Sequence, residues 1–207
     1  IVGKAKTKTT IVNCLNRADV TAASSAAGVV GMADGMVSKA AAAKNAPAIT
    51  GCGNTGTITA TDEAGCAGGV ASVASMFLAK DCFNVGTVTG AGKSGAVTNT
   101  SNKQKQADGG GNYFLAGCLH GSGDEPIIGT GKTADELMEM LKDRTDSVGK
   151  GLYEALHAIK DQAAADAVIE KIAAIGAVTL DSKSKDMEEI MPLLAATCEA
   201  VTEDGYT

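Results

Sequence analysis

The chain has 207 residues, room for one sizeable domain or slightly more, and its formal net charge of −6 argues against generic nucleic-acid binding. Hydrophobic residues make up 44%, but aromatics only 3%, with no Trp. An interior of Ala, Val, Leu, Ile and Met buries less area per residue than one built on rings, so long helices packed through Ala suit this composition better than a compact enzyme core.

The cations Lys4, Lys6, Lys8 and Arg17 precede any acid, whereas the tail collects Asp186, Glu188, Glu189, Glu199, Glu203 and Asp204. These read as two solvated ends. Residues 1–17 form an irregular lead-in with β-branched Thr9, Thr10, Ile11 and Val12 before Cys14. From Asp19, a possible cap, the apolar positions Val20, Ala23, Ala27, Val30, Met36, Val37 and Ala40 predict a helix over residues 18–45, weakened by Gly28, Gly31 and Gly35. Asn45-Ala46-Pro47 stops it.

Residues 50–120 hold Cys52, Cys66, Cys82 and Cys118 within a run of Gly, Thr, Ser, Asn and Ala. This is turn and short-strand chemistry, predicting a loop-rich head. Val70–Lys80 reads as a short helix or buried segment, and Asp108–Asn112 as a flexible tip. Asn99-Thr100-Ser101 matches the N-glycosylation acceptor and predicts a glycan at Asn99. Tyr113, Phe114 and Leu115 should dock the head near Cys118.

Beyond Pro126 the pattern becomes regular. Thr133-Ala134-Asp135-Glu136 is a capping box ahead of Leu137, Met140 and Leu141. Ser147 can cap a second helix through Leu152, Leu156, Ile159 and Ala163, closed by Gly176. A third follows Asp186, with Pro192 inside it and Leu193, Leu194, Thr197, Cys198 and Val201 facing inward. The expected fold is mainly α: a helical bundle or coiled-coil-like scaffold (residues 18–45 and 133–204) carrying the head at 50–120, all in a single domain over 1–207. No stretch reads as a leader or a membrane span.

Cys14, Cys52, Cys66, Cys82, Cys118 and Cys198 are an even set without a CxxC pair or zinc-finger spacing. The polar surroundings predict three disulfides in an oxidising compartment. Connectivity stays open among fifteen pairings, with Cys52–Cys66 attractive as a local closure. Cys14 and Cys198 would tie scaffold to head, or pair with each other.

Chemical motifs are sparse. Ile1-Val2-Gly3 resembles the activated start of trypsin-like proteases, yet no nucleophile–base–orienter set accompanies it. Gly92-Lys93-Ser94 and Gly131-Lys132-Thr133 imitate a phosphate loop, but Thr87 and Pro126 stand where its first Gly is required. Lys132 and Thr133 remain as a weaker phosphate- or nucleotide-binding alternative at a helix N-terminus. His120 lies near Cys118, Asp124 and Glu125, a combination too unspecific to name a metal, and His157 flanks a helix. Met138, Met140, Met187 and Met191 read as core filler. No catalytic residue, metal or cofactor is predicted.

The segment from Cys52 to Cys66 with its Asn54-Thr55-Gly56-Thr57-Ile58-Thr59 insert, then Gly90-Ala91-Gly92-Lys93-Ser94-Gly95, then Gly117-Cys118-Leu119, resembles the N-terminal domain of trypanosome variant surface glycoproteins. The resemblance implies a non-enzymatic, extracellular surface antigen or coat protein that shields the cell and evades host immunity. It would be a homodimer with variable loops met by host antibodies, held to the membrane only by a lipid anchor outside this chain. The alternative is a surface receptor or adhesin binding a ligand through the head.

Overall fold

The computed structural model describes residues 1–6, 8–34, 48–72, 74–75, 78–92, 94–99, 107–108, 110–120, 128–174 and 192. Short strands dominate the first two thirds. Coil 1 comprises β1 (Val2–Lys6), β2 (Thr10–Val12), β3 (Leu15–Asn16), β4 (Val20–Ala22) and β5 (Ser25–Ala27). Coil 2 comprises β6 (Val30–Asp34), β7 (Ala48–Thr50), β8 (Gly53–Asn54), β9 (Ile58–Ala60) and β10 (Cys66–Gly68). Coil 3 has β11 (Ala74–Ser75), β12 (Leu78–Lys80), β13 (Phe83–Asn84), β14 (Val88–Gly90) and β15 (Ser94–Gly95). Coil 4 has β16 (Ala107–Asp108), β17 (Tyr113–Leu115) and β18 (Leu119–His120), and β19 (Thr130–Lys132) lies beyond it.

Each strand pairs with its counterpart one coil away, and all the pairings are parallel. Five sheets result, in the orders β1-β6-β11, β2-β7-β12-β16, β3-β8-β13-β17-β19, β4-β9-β14-β18 and β5-β10-β15. The chain therefore winds as a parallel β-solenoid, coil over coil at a spacing of about 4.8 Å.

This overturns the mainly-α expectation. Residues 18–34 form β4, β5 and β6 rather than a helix, and the described residues of 50–120 form coils rather than a loop head. Of the expected stripe, Ala27 and Val30 are buried and Val20 partly so, from successive strands rather than one helix face, while Ala23 is exposed. The glycines serve coil stacking. A Cβ at Gly28 would lie 2.6 Å from both Asn54 Oδ1 and Gly69 O. Small residues that imitate a close-packed helix here let one turn of backbone lie on another. Met36, Val37, Ala40 and the stop at Pro47 fall outside the described residues.

Identical positions of successive coils stack as columns. Asn13, Gly51, Asp81 and Gly111 all hold positive φ (51°, 63°, 53° and 69°) at the same corner. Bulk alternates down that corner: a Cβ on Gly51 would meet Asn13 Oδ1 at 2.4 Å, and one on Gly111 would meet Asp81 Oδ1 at 2.0 Å. Three residues on, the carboxamides form a ladder. Asn16 Nδ2 donates to Asn54 Oδ1 (2.7 Å), Asn54 Nδ2 to Asn84 Oδ1 (2.8 Å), and Asn84 Nδ2 to Cys118 Sγ (3.4 Å). Each Nδ2 also donates to the carbonyl two residues ahead, on Ala18, Gly56 or Gly86. Buried carboxamides thus satisfy each other, and an aligned series favours one register over a slipped one. Asn112, expected in a flexible tip, is buried, accepting from Cys82 N and donating to Ala79 O.

Two helices follow: α1 (Ala134–Leu141) and α2 (Ser147–Ala174). The capping box forms as expected, with Thr133 Oγ1 accepting from Glu136 N and Glu136 Oε2 from Thr133 N. At α2 the capping carboxylate is Asp146, not Ser147. Its Oδ1 accepts from Val148 N and Gly149 N, and the Arg144 guanidinium holds it at a pKa of about 2. Leu137, Leu141, Val148, Leu152 and Leu156 are buried with Phe83 and Val85, covering the outer side of the β3-β8-β13-β17-β19 sheet, and Tyr113 and Leu115 pack against that cluster. Met140 stays partly exposed.

Chain contacts divide the protein into two compact units, Ile1–Leu156 and His157–Thr207. In the second, the described residues are the remainder of α2, with Ile159 and Ile169 exposed, and Pro192. The expected third helix from Asp186 otherwise lies outside the described residues.

Candidate functional site

The cysteines come first, because they were expected to staple a head. Cys14, Cys52, Cys66, Cys82 and Cys118 are all free thiols, so the disulfide expectation is overturned among the described residues; Cys198 lies outside them. Cys52, Cys82 and Cys118 serve instead as buried interior side chains, whereas Cys14 and Cys66 are half-buried at other positions of the coils. Cys52 and Cys82 are fully buried in the solenoid interior, where their thiols reach backbone carbonyls such as Thr50 O (3.5 Å) and Lys80 O (3.3 Å). Cys52 and Cys66 belong to different sides of coil 2, before β8 and opening β10. Burial pushes the Cys52 thiol up to about 12 and those of Cys82 and Cys118 to about 11. Such thiols stay protonated at neutral pH and make poor nucleophiles and poor metal ligands.

The remaining expected positions are engaged in folding or stand apart. Lys132 Nζ pairs with Glu136 Oε1 at 2.8 Å, which raises the lysine's pKa and lowers the glutamate's. Thr133 Oγ1 is held in the capping box, so the chain's own carboxylate occupies the place an anion would take. Asn99 is 1% exposed with its N–H on Ala71 O, whereas glycan attachment requires a solvent-facing amide. Asp124 and Glu125 lie outside the described residues. No group of three or more His, Cys, Asp or Glu able to hold a metal occurs among the described residues.

The feature that sequence reasoning missed is an outward face, exposed at its two ends, Thr21 and His120, and half-buried at Thr59 and Thr89. In β4, β9 and β14 the triplets Val20-Thr21-Ala22, Ile58-Thr59-Ala60 and Val88-Thr89-Gly90 lie in register, followed by Leu119-His120 of β18. Val20, Ile58, Val88 and Leu119 point inward against Ala26 and Ala67. Thr21, Thr59, Thr89 and His120 therefore line the outside as one column, because successive residues of a strand face opposite sides. Asp19 and Thr57 flank the column at exposed positions, tied by Thr57 N donating to Asp19 Oδ1 at 2.7 Å. Threonine suits an exposed strand position for its β-branch alone. What the register adds is repetition: hydroxyls that can both donate and accept, repeated at the coil spacing. The signal in the sequence was the recurring apolar-Thr-small triplet at intervals of 38 and 30 residues.

No protein-family model matches the chain, and no curated protein matches it. A solved structure from Bacteroides ovatus, described as "a putative immunoglobulin A1 protease", is similar over 63% of this chain at 16% identity with a TM-score of 0.44. The match spans about half, 51%, of that longer chain. Similarity at this level assigns no function here.

Proposed function

We propose that this protein is a non-enzymatic binding module of the receptor or adhesin kind, displayed outside the cell, whose contact surface is the threonine face of the solenoid. The observation that carries this reading is the in-register column Thr21–Thr59–Thr89 ending at His120. A rigid stack presents these groups at fixed intervals without ordering any loop on binding, which removes one cost of association. Hydroxyls on a regular grid complement a ligand that is itself rich in hydroxyls, so the chemical class favoured is a polysaccharide laid along the stack. The thiols of Cys52, Cys82 and Cys118 are committed to the interior, and Lys132, Thr133 and Glu136 to a helix cap. A shielding coat on a helical stalk has no counterpart in the described fold, so display is favoured over shielding.

The test is a glycan panel followed by calorimetry, using wild type and a Thr59→Val/Thr89→Val variant. Valine keeps the β-branch and removes the hydroxyl. Binding to at least one hydroxyl-rich polysaccharide is expected, weakened about tenfold or more in the variant, which corresponds to about 1.4 kcal/mol, with an unchanged melting temperature. A wild type that ignores the whole panel, or a variant that binds equally well, would sink the proposal.

A further inference from the structure

Coil 1 is one end of the described coil stack. Strands β1, β2, β3, β4 and β5 each stand at the end of their sheet, paired on one side only among the described residues. Such an edge is a template for another chain. The side-chain ladder is open there too: Asn16 Oδ1 accepts no hydrogen bond among the described residues, although Asn54 and Asn84 in the same column each accept one. Val12 is 53% exposed on this coil.

Two columns nevertheless change character at this edge. The register places Ala18 with Gly56 and Gly86. A Cβ on Gly86 would lie 2.1 Å from Gly56 O, and one on Gly56 would lie 2.1 Å from Ala18 O. In this column, then, the Cβ direction of each coil points at the carbonyl of the coil before it, and glycine is what lets them approach. Coil 1 instead has Ala18, whose methyl group points out of the stack. The second column is Ser24, Gly65 and Gly92. A Cβ on Gly65 would meet Ala23 O at 2.8 Å, and one on Gly92 would meet Ala64 O at 2.6 Å. Here too the side chain is present in coil 1 alone. Ala18 and Ser24 are both exposed, as are Lys4, Lys6 and Lys8 on the same coil.

We infer that the outer edge of coil 1 is built to refuse head-to-tail stacking by a second copy of this chain. A coil arriving in the solenoid's own register would bring its carbonyls onto the Ala18 Cβ and the Ser24 side chain at distances that no Cβ tolerates. The lysines add repulsion toward an incoming chain and keep the edge solvated. The need for such a block is physical: head-to-tail contact between identical copies does not close, so each addition would expose the same edge again and a filament would grow.

Sedimentation velocity on the full chain over a wide concentration range tests this. Wild type should show a mass distribution that does not lengthen with concentration, while Ala18→Gly/Ser24→Gly should shift to progressively larger species, visible as filaments by electron microscopy. A folded double variant with the wild-type distribution would overturn the inference. Hydrogen exchange on wild type gives an arm that needs no variant. Coil 1 amides should exchange at a rate independent of protein concentration, and protection there that grows with concentration would equally overturn it.

Discussion

The coil stack and the helical segments that cover it, α1 and α2 as far as Leu156, belong to the same compact unit but are held together differently. In the helical flank, large side chains do the work: Leu137, Leu141, Leu152 and Leu156 bury themselves against Phe83 and Val85. In the stack the interior is mostly Ala, Val and Cys with a few Ile, and specificity comes from columns of identical or alternating residues. The flank would tolerate exchange among apolar residues of similar volume. The stack would not, because a change at one coil is felt by the carbonyl or carboxamide of the next.

The sharpest break in that comparison is Asn54→Ala. It removes the middle of the ladder, stranding Asn84 Oδ1 and Gly56 O inside the solenoid. Urea denaturation should show a loss of about 3 kcal/mol or more; a loss below about 1 kcal/mol would mean the ladder contributes no specificity. A second test uses alkaline pH. The buried thiols titrate in the folded chain at about 11 to 12, against a reference near 9. A raised folded pKa gives stability that is intact below the unfolded value and declines as pH climbs from about 9 toward 11. The urea midpoint should fall over that range, and fall less in Cys52→Ala; equal slopes for the two proteins would contradict the assignment. The smallest expected effect lies in the flank. Thr133→Ala removes one cap oxygen and should cost about 1 kcal/mol, with the far-ultraviolet helix signal otherwise retained in circular dichroism.

The same contrast explains what could be read from the sequence. The capping box at Thr133–Glu136 and the burial of Leu137, Leu152 and Leu156 were legible because those signals are local, within one or two helical turns. The solenoid is written at long range. Its clearest mark is the recurrence Asn13-Cys14-Leu15-Asn16, Gly51-Cys52-Gly53-Asn54 and Asp81-Cys82-Phe83-Asn84, at intervals of 38 and then 30 residues. Unequal intervals hide such a repeat from any search for one fixed period. Viewed in single windows, the same residues resemble other things: Cys14, Cys52 and Cys82 look like disulfide partners, and the Ala- and Gly-rich stretch through Val30 looks like a helix with weak spots. The threonine face was hidden for the same reason, since Thr21, Thr59 and Thr89 become neighbours only once the coils are in register.

The corner of positive backbone angles sets a rule for how such a protein can change length. Because Asn13 overhangs a glycine and Asp81 overhangs another, bulky and bare corners come in couples. Deleting coil 2 alone would bring Asn13 onto Asp81, two side chains where only one has space. Change in length should accordingly spare the turns whose glycine corner separates two bulky ones, of which coil 2 is the example here.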